Sequence, residues 1–322
     1  MSTLRLNRNG LSLRNKAPTL SDIKNDTNYN LIYDLKEFMK FRLALLVVFS
    51  AFLSYVTAIK FNDKEIEWNS VLWLCLGGML ITISSNGFNQ IFEKNLDKLM
   101  SRTKNRPLPT ERMSLTVAWS ITLTSGIIGA FILWFKLNPL TGILGLISLI
   151  LYSFVYTPMK QKTAWAVFVG AFPGAAPPLI GWVACEAGDH LWISPAALSV
   201  FCIQFIWQFP HFWAIAWRCH DDYKKGGFQL LPSQGGKDSK SAFQILLYTL
   251  FMVPIAMLPC HPDFGIAGFT SSLIVLSLGV IMLYPAIMLM KTLDEKWATK
   301  LMFASFIYLP LVLITFLTDQ FY

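Results

Sequence analysis

Residues 71–97 read VLWLCLGGMLITISSNGFNQIFEKNLD. The stretch opens as an apolar run and closes on oxygen-bearing side chains. About twenty apolar residues in a helix cross a ~30 Å hydrocarbon core. Asn89, Glu93 and Asp97 then recur at every fourth position. At ~100° per residue, four steps leave a rotation of only about 40°, so the three side chains share one helical face. Carboxylates are costly near a bilayer core and mark a functional site there by default. The stretch therefore places the chain in a membrane and puts a polar site at the end of one span.

Working outward, similar apolar runs recur near 42–59, 71–92, 114–135, 139–158, 164–184, 194–217, 242–259, 266–290 and 298–318. The chain has 322 residues, 54% of them hydrophobic and only 14% charged, with a mean hydropathy of +0.48. That composition belongs to a polytopic membrane protein rather than a soluble globule. The runs lack the period-two alternation of membrane strands, which excludes a barrel. The expected fold is all-α, with about nine transmembrane helices around a central cavity open to the cytoplasmic side.

The net charge of +8 is no sign of nucleic-acid binding, because the basic residues sit in alternate loops. Lys36 and Lys40 precede the first run, Lys94 to Arg112 follow the second, Lys160 and Lys162 the fourth, and Arg218 to Lys240 the sixth. The intervening loops carry little beyond Lys60, Lys64 and Lys136. The positive-inside rule then puts the N-terminus in the cytoplasm and the C-terminus outside. Residues 1–40 form a polar, basic cytoplasmic tail, and 41–322 one membrane domain. The expected location is the cell inner (plasma) membrane. The alternative, which the first forty residues allow because they are basic and early on poor in acids, is a mitochondrial presequence and the mitochondrial inner membrane. Cys75, Cys185, Cys202, Cys219 and Cys260 show no metal spacing and read as small packing residues.

Hard oxygen ligands such as Asn89, Glu93 and Asp97 suit Mg²⁺, which keeps several waters and bridges to phosphate oxygens. Eight residues of helix rise ~12 Å, so either two ions bind or one residue acts through water. The competing reading is a solvated helix end whose acids pair with Lys94 and Lys98. Behind the acids come Arg102, Lys104 and Arg106, then Pro107 and Pro109, which forbid helix. An extended loop there would place the three cations on one side as a diphosphate site. A second polar cluster closes the sixth run: Trp207, His211, Phe212 and Trp213, then Asp222 as counterpart to the first acids. Lys160 and Lys162, after the fourth run, are either flanking anchors or a phosphate clamp. The longest charged loops follow the second and sixth runs, a hint of internal duplication. The small residues and prolines from Gly170 to Trp182 shape a cavity without taking part in chemistry.

These residues resemble the UbiA superfamily of intramembrane prenyltransferases. Its first signature is an Asn with acids four and eight positions on, followed by Arg-Thr-x-Asn-Arg-Pro-Leu, here Asn89, Glu93, Asp97 and Arg102 to Leu108. Within the superfamily the chain is similar to the heme-farnesylating branch. Glu93 stands where the aromatic-acceptor branch usually has Asp, and Gln90 replaces an Asp that often follows the Asn there. The run from Trp207 to Trp213, Asp222-Tyr223, Leu231-Pro232, and Gly174 to Trp182 also match the heme branch. One departure is Arg218, which stands where the aromatic-acceptor branch carries an acid and puts metal binding by Asp222 in doubt. The resemblance covers roughly residues 35–318 and implies transfer of farnesyl from farnesyl diphosphate to a vinyl group of heme B. It implies Mg²⁺ on Asn89, Glu93, Asp97 and Asp222, and diphosphate on Arg102, Lys104, Arg106, Lys160 and Lys162. With such an acceptor, the residues themselves suggest a pocket of His211, Trp207, Phe212 and Trp213, in which His211 contacts the heme as iron ligand or propionate partner and the aromatic faces stabilise the allylic cation. Partners so implied are the lipid bilayer and the two substrates, with contact to heme A synthase or terminal oxidase assembly. An aromatic prenyltransferase making a quinone precursor would use the same acids and cations, and a transporter would also place acids and broken helices within the membrane.

Overall fold

The structure, a computed structural model, describes residues 31–186 and 192–318. Among these residues there is no strand, and nine helices are long and apolar enough to cross a membrane. They are Phe41–Phe61, Trp68–Phe92, Leu115–Leu137, Pro139–Met159, Ala166–Cys185, Pro195–Arg218, Ser239–Cys260, Phe269–Thr292 and Glu295–Thr318, here spans one to nine. Each expected apolar run thus corresponds to one helix. Residues 1–30 of the expected tail lie outside the described residues, while Leu31–Phe38 form a short helix of their own.

Local chemistry starts several spans where they begin. Ser114, Asn138, Ser194 and Asp238 each accept a hydrogen bond from the backbone N–H three residues on, at 2.8–3.3 Å. These caps satisfy amides that a helix start leaves without partners. Pro139 and Pro195 follow two of them, where the missing N–H costs nothing.

Span five is the most enclosed, with 72% of its apolar window buried. It packs between spans one and six, and its small residues permit the approach. Gly181 shows why: a methyl group there would overlap the carbonyl of Ala51 on span one. Pro178 in span five leaves the carbonyl of Gly174 without its helical donor. Gln204 on span six fills the gap, its Nε2 donating to Gly174 O at 2.7 Å, while Ser50 on span one donates to Gln204 Oε1 at 2.7 Å. Spans one, five and six are thereby tied together at one level.

Two breaks in helical regularity shape the polar end. Span two stops at Phe92, Glu93 leaves the helical region (φ −94°, ψ 6°), and a single turn, Lys94–Asp97, follows. Span four closes with a π-helical turn over Leu151–Tyr156, where the Thr157 hydroxyl donates to Tyr152 O at 2.8 Å. Such turns insert a residue and re-aim side chains. Here Tyr152, Tyr156 and Lys160 all face one cavity.

Candidate active site

A cavity of about 500 Å³ opens among spans one, two, four, five, six and nine. That is within the range of ligand pockets, ~300–1,000 Å³. Its polar wall holds Asn89, Glu93 and Asp97 together with Lys40, Arg102, Arg106 and Lys160. The other walls are aromatic and aliphatic, with Trp207, His211, Phe212 and Phe306 among them.

Each acid of the polar wall meets a cation. Arg106 Nη1 is 2.8 Å from Asp97 Oδ2, and Lys160 Nζ pairs with Glu93 Oε1. Lys40 Nζ donates to Asn89 Oδ1 at 3.3 Å, and Asn89 Nδ2 donates to Thr157 Oγ1 at 3.4 Å. All three oxygen-bearing residues are buried. Lys94 and Lys98 pair instead with Glu111, at 3.9 and 3.4 Å, so the acids are not a solvated helix end neutralised by their nearest lysines. Burial, with help from the nearby charges of Arg106 and Lys160, pulls the Lys40 ammonium down to about 7. Burial also lowers Lys160, against the raising effect of Glu93.

The loop after span two departs from the expected extended chain. Thr103 N and Lys104 N both bond Met100 O, Arg106 N bonds Thr103 O, and the Thr103 hydroxyl donates to Asp97 O at 3.0 Å. The chain therefore coils in successive turns, and alternate residues do not share a side. Arg102 and Arg106, four apart, both reach the cavity, whereas Lys104 stands exposed away from it. Lys162 is likewise exposed, while Lys160 two residues earlier is buried.

Asp222 also has a place other than the one expected. It lies outside the cavity wall, and its carboxylate accepts from Ser101 N at 2.7 Å and Arg102 N at 3.1 Å, with Lys225 Nζ at 3.4 Å. It holds the loop that carries Arg102. Its pKa reflects two opposed effects: burial raises it, but the hydrogen bonds from Ser101 and Arg102 prevail and hold it below the ordinary carboxylate value. Trp213 is a further correction. It packs in the core against Phe209 and Tyr248, with ring centroids 5.4 and 5.0 Å away, because it lies two residues on from His211 and so on another face of span six.

His211 does face the cavity, stacked on Trp207 at 4.4 Å with its Nδ1 2.7 Å from Ser305 Oγ. Sequence reasoning missed Lys40, Tyr152, Tyr156, Gln204, Gln208 and Phe306 on the wall. For Tyr152, Tyr156 and Lys160 the four-residue spacing was a visible signal. Lys40 carried none, because its approach depends on a left-handed turn (φ 48°) between the Leu31–Phe38 helix and span one.

The donor set suits a hard divalent cation. Two carboxylates and an amide oxygen line one wall, and Asp97 Oδ1 is buried with no hydrogen-bond partner. Among the described residues no three His, Cys, Asp or Glu side chains cluster as a metal site, so an ion here would rely on Asn89 and on substrate or water oxygens as well.

Among the described residues, nine membrane-length helices enclose acids, cations and aromatic rings around one cavity, the build of an intramembrane enzyme. The chain belongs to the UbiA prenyltransferase family, whose model matches residues 43–308; it is a prenyltransferase. A protoheme IX farnesyltransferase of Christiangramia forsetii is 46% identical over 91% of this chain and 95% of its own. One from Cytophaga hutchinsonii is 44% identical over 88% and 96%. Among solved structures, a digeranylgeranylglyceryl phosphate synthase superposes with a TM-score of 0.72 at 19% identity, covering 89% of this chain and 98% of its own. A UbiA homolog from Archaeoglobus fulgidus, bound to GPP and Mg²⁺, gives 0.59 at 14% identity over 88% and 99%. These two likenesses show the fold.

Proposed function

We propose that this chain transfers a farnesyl group from farnesyl diphosphate to a vinyl group of heme B, with water, giving heme O and diphosphate. The observation that carries the reading is the division of one cavity into an acid-and-cation wall and an aromatic wall with a histidine. The names of the relatives above support the choice of acceptor.

On the polar wall, Arg102, Arg106, Lys160 and Lys40 take the diphosphate. Arg106 engages Asp97 through Nη1 and keeps further donors in its planar fork for phosphate. These cations offset the negative charge that grows on the leaving oxygen as the allylic C–O bond breaks. Asn89, Glu93 and Asp97 would hold Mg²⁺, which supplies Lewis-acid polarisation of the leaving group. The electron pair of the broken bond leaves with the diphosphate, and the allylic carbon becomes cationic. Rings such as Trp207, Phe212, Tyr152 and Tyr156 face the cavity and stabilise that cation by ~1–2 kcal/mol per good contact. The vinyl group attacks it, and water adds to the resulting cation and loses a proton to the released diphosphate, which gives the hydroxyethyl linkage. The polar end faces the cytoplasm, in the inner membrane of a bacterial cell.

The test is incubation of the purified protein in lipid nanodiscs with heme B and farnesyl diphosphate, with and without Mg²⁺. A product carrying the mass of farnesyl plus water, formed only with the metal, is expected. Transfer to an aromatic quinone precursor but not to heme B would overturn the acceptor, and metal-independent turnover would overturn the role of the acids.

A further inference from the structure

The contacts of His211 determine which of its ring nitrogens carries hydrogen. Its Nδ1 lies 2.7 Å from Ser305 Oγ on span nine, and that same Oγ lies 2.6 Å from Met302 O. Two oxygens at that separation require a hydrogen between them, and a carbonyl has none to give. The single hydroxyl hydrogen of Ser305 is therefore committed to Met302. Ser305 Oγ can then only accept from the imidazole, so Nδ1 is the N–H. In the neutral ring Nε2 is left with its lone pair. Among the described residues no hydrogen bond or ion pair engages Nε2, and His211 lies on the cavity wall.

The ring is also held in orientation. Trp207 stacks on it at 4.4 Å with 16° between planes, and Phe306 meets it edge-on at 4.9 Å and 78°. The Trp207 indole N–H is itself tied to Ser305 O at 2.9 Å. Ser305 thus fixes both stacked rings, one through its hydroxyl and one through its carbonyl.

We propose that His211 Nε2 is an axial ligand to the iron of a tetrapyrrole acceptor, and that Ser305 is the residue that positions it. The proposal rests on the heme-acceptor reading above. A neutral imidazole nitrogen with a free lone pair, oriented by a hydrogen bond from its other nitrogen, is what iron ligation needs. The same tautomer disfavours a propionate partner, because an ionised carboxylate only accepts and Nε2 has no hydrogen to donate. Ligation would anchor the macrocycle on the aromatic wall while a vinyl group reaches toward the polar wall.

The test uses the full-length protein in nanodiscs, titrated with ferric heme B and read by its Soret band and electron paramagnetic resonance. The unmutated protein labelled with ¹⁵N-histidine should show hyperfine coupling between iron and one histidine nitrogen. His211→Gly should lose that coupling and bind heme about tenfold more weakly, and added imidazole should restore the ligated spectrum. Ser305→Ala should keep the ligand but shift its spectrum, and Ser305→Thr should restore it. Heme binding with no histidine coupling, or a spectrum unchanged in His211→Gly, overturns the proposal. Farnesyl transfer measured in parallel separates the two ideas. Transfer to heme B without histidine coupling leaves the enzyme reading standing and removes the ligand. Absence of heme binding in an enzyme that prenylates another acceptor removes both.

Discussion

Glu93 and Asp97 are each paired with a cation that could equally serve a phosphate, Lys160 and Arg106 respectively. Breaking a buried pair by removing one partner strands the other and is costly, roughly 3–5 kcal/mol. For Glu93 the cost is limited, because the lowered Lys160 can lose its proton instead. We expect Glu93→Gln and Asp97→Asn each to reduce farnesyl transfer by about 100-fold or more in protein that remains folded by circular dichroism. Full activity in both variants would refute their assignment. Asp222 calls for a different outcome. Since it bonds backbone amides of the Arg102 loop, Asp222→Ala should raise the KM for farnesyl diphosphate about tenfold, the scale of one lost charged hydrogen bond. The Mg²⁺ dependence should be unchanged; a shift in metal affinity would restore Asp222 as a ligand. Its depressed pKa sets the sign of the pH effect. A lowered carboxylate stabilises above the unfolded value near 4 and loses that contribution as pH falls through the lower folded value. Hydrogen-exchange protection of the Ser101 and Arg102 amides, corrected for the intrinsic pH dependence of exchange, should therefore persist at pH 5 and fail only in stronger acid.

At the scale of elements, span five determines how closely its neighbours approach. Gly181 lies against the backbone of span one, and the freed carbonyl of Gly174 is met by Gln204 of span six. Gly181→Ala should destabilise the protein by about 1–3 kcal/mol through overpacking, measured by denaturant unfolding in detergent. The damage should reach activity only at temperatures where unfolding begins, since Gly181 is not on the cavity wall. Wild-type stability in this variant would show that spans one and five are less closely joined than the structure has them. The loop after span two teaches a separate lesson. Proline positions correctly signal the end of helix there, but they do not specify an extended chain. The backbone bonds to Met100 O and the Thr103 hydroxyl bond to Asp97 O coil it instead.

For the whole molecule, the loops after spans two, four and six meet at one cavity mouth, with Arg102, Lys160, Tyr223 and Phe228 on its wall. Loops after even-numbered spans must lie on one side of a membrane, so the geometry and the span count agree. The end of the basic tail joins them: Arg112 binds Asp34 at 2.8 Å and Lys40 reaches Asn89. The loop charge pattern supports our proposal that this side faces the cytoplasm. A fluorescent-protein fusion at the N-terminus should fluoresce, and alkaline phosphatase fused at the C-terminus should be active outside the cytoplasm. The reverse pattern would turn the site to the other face.

By itself the sequence determined the class of chain, the number and approximate limits of its spans, and the spacing that brings Asn89, Glu93 and Asp97 to one wall. Those follow from hydropathy and helical period, which act locally. Tertiary structure alone decided which charges share the cavity. It brought in Lys40, left Lys104 and Lys162 outside, turned Trp213 into the core and gave Asp222 to a backbone. Those outcomes depend on a left-handed residue, a π-helical turn and a coiled loop, whose geometry is set by partners from distant spans rather than by neighbours in sequence.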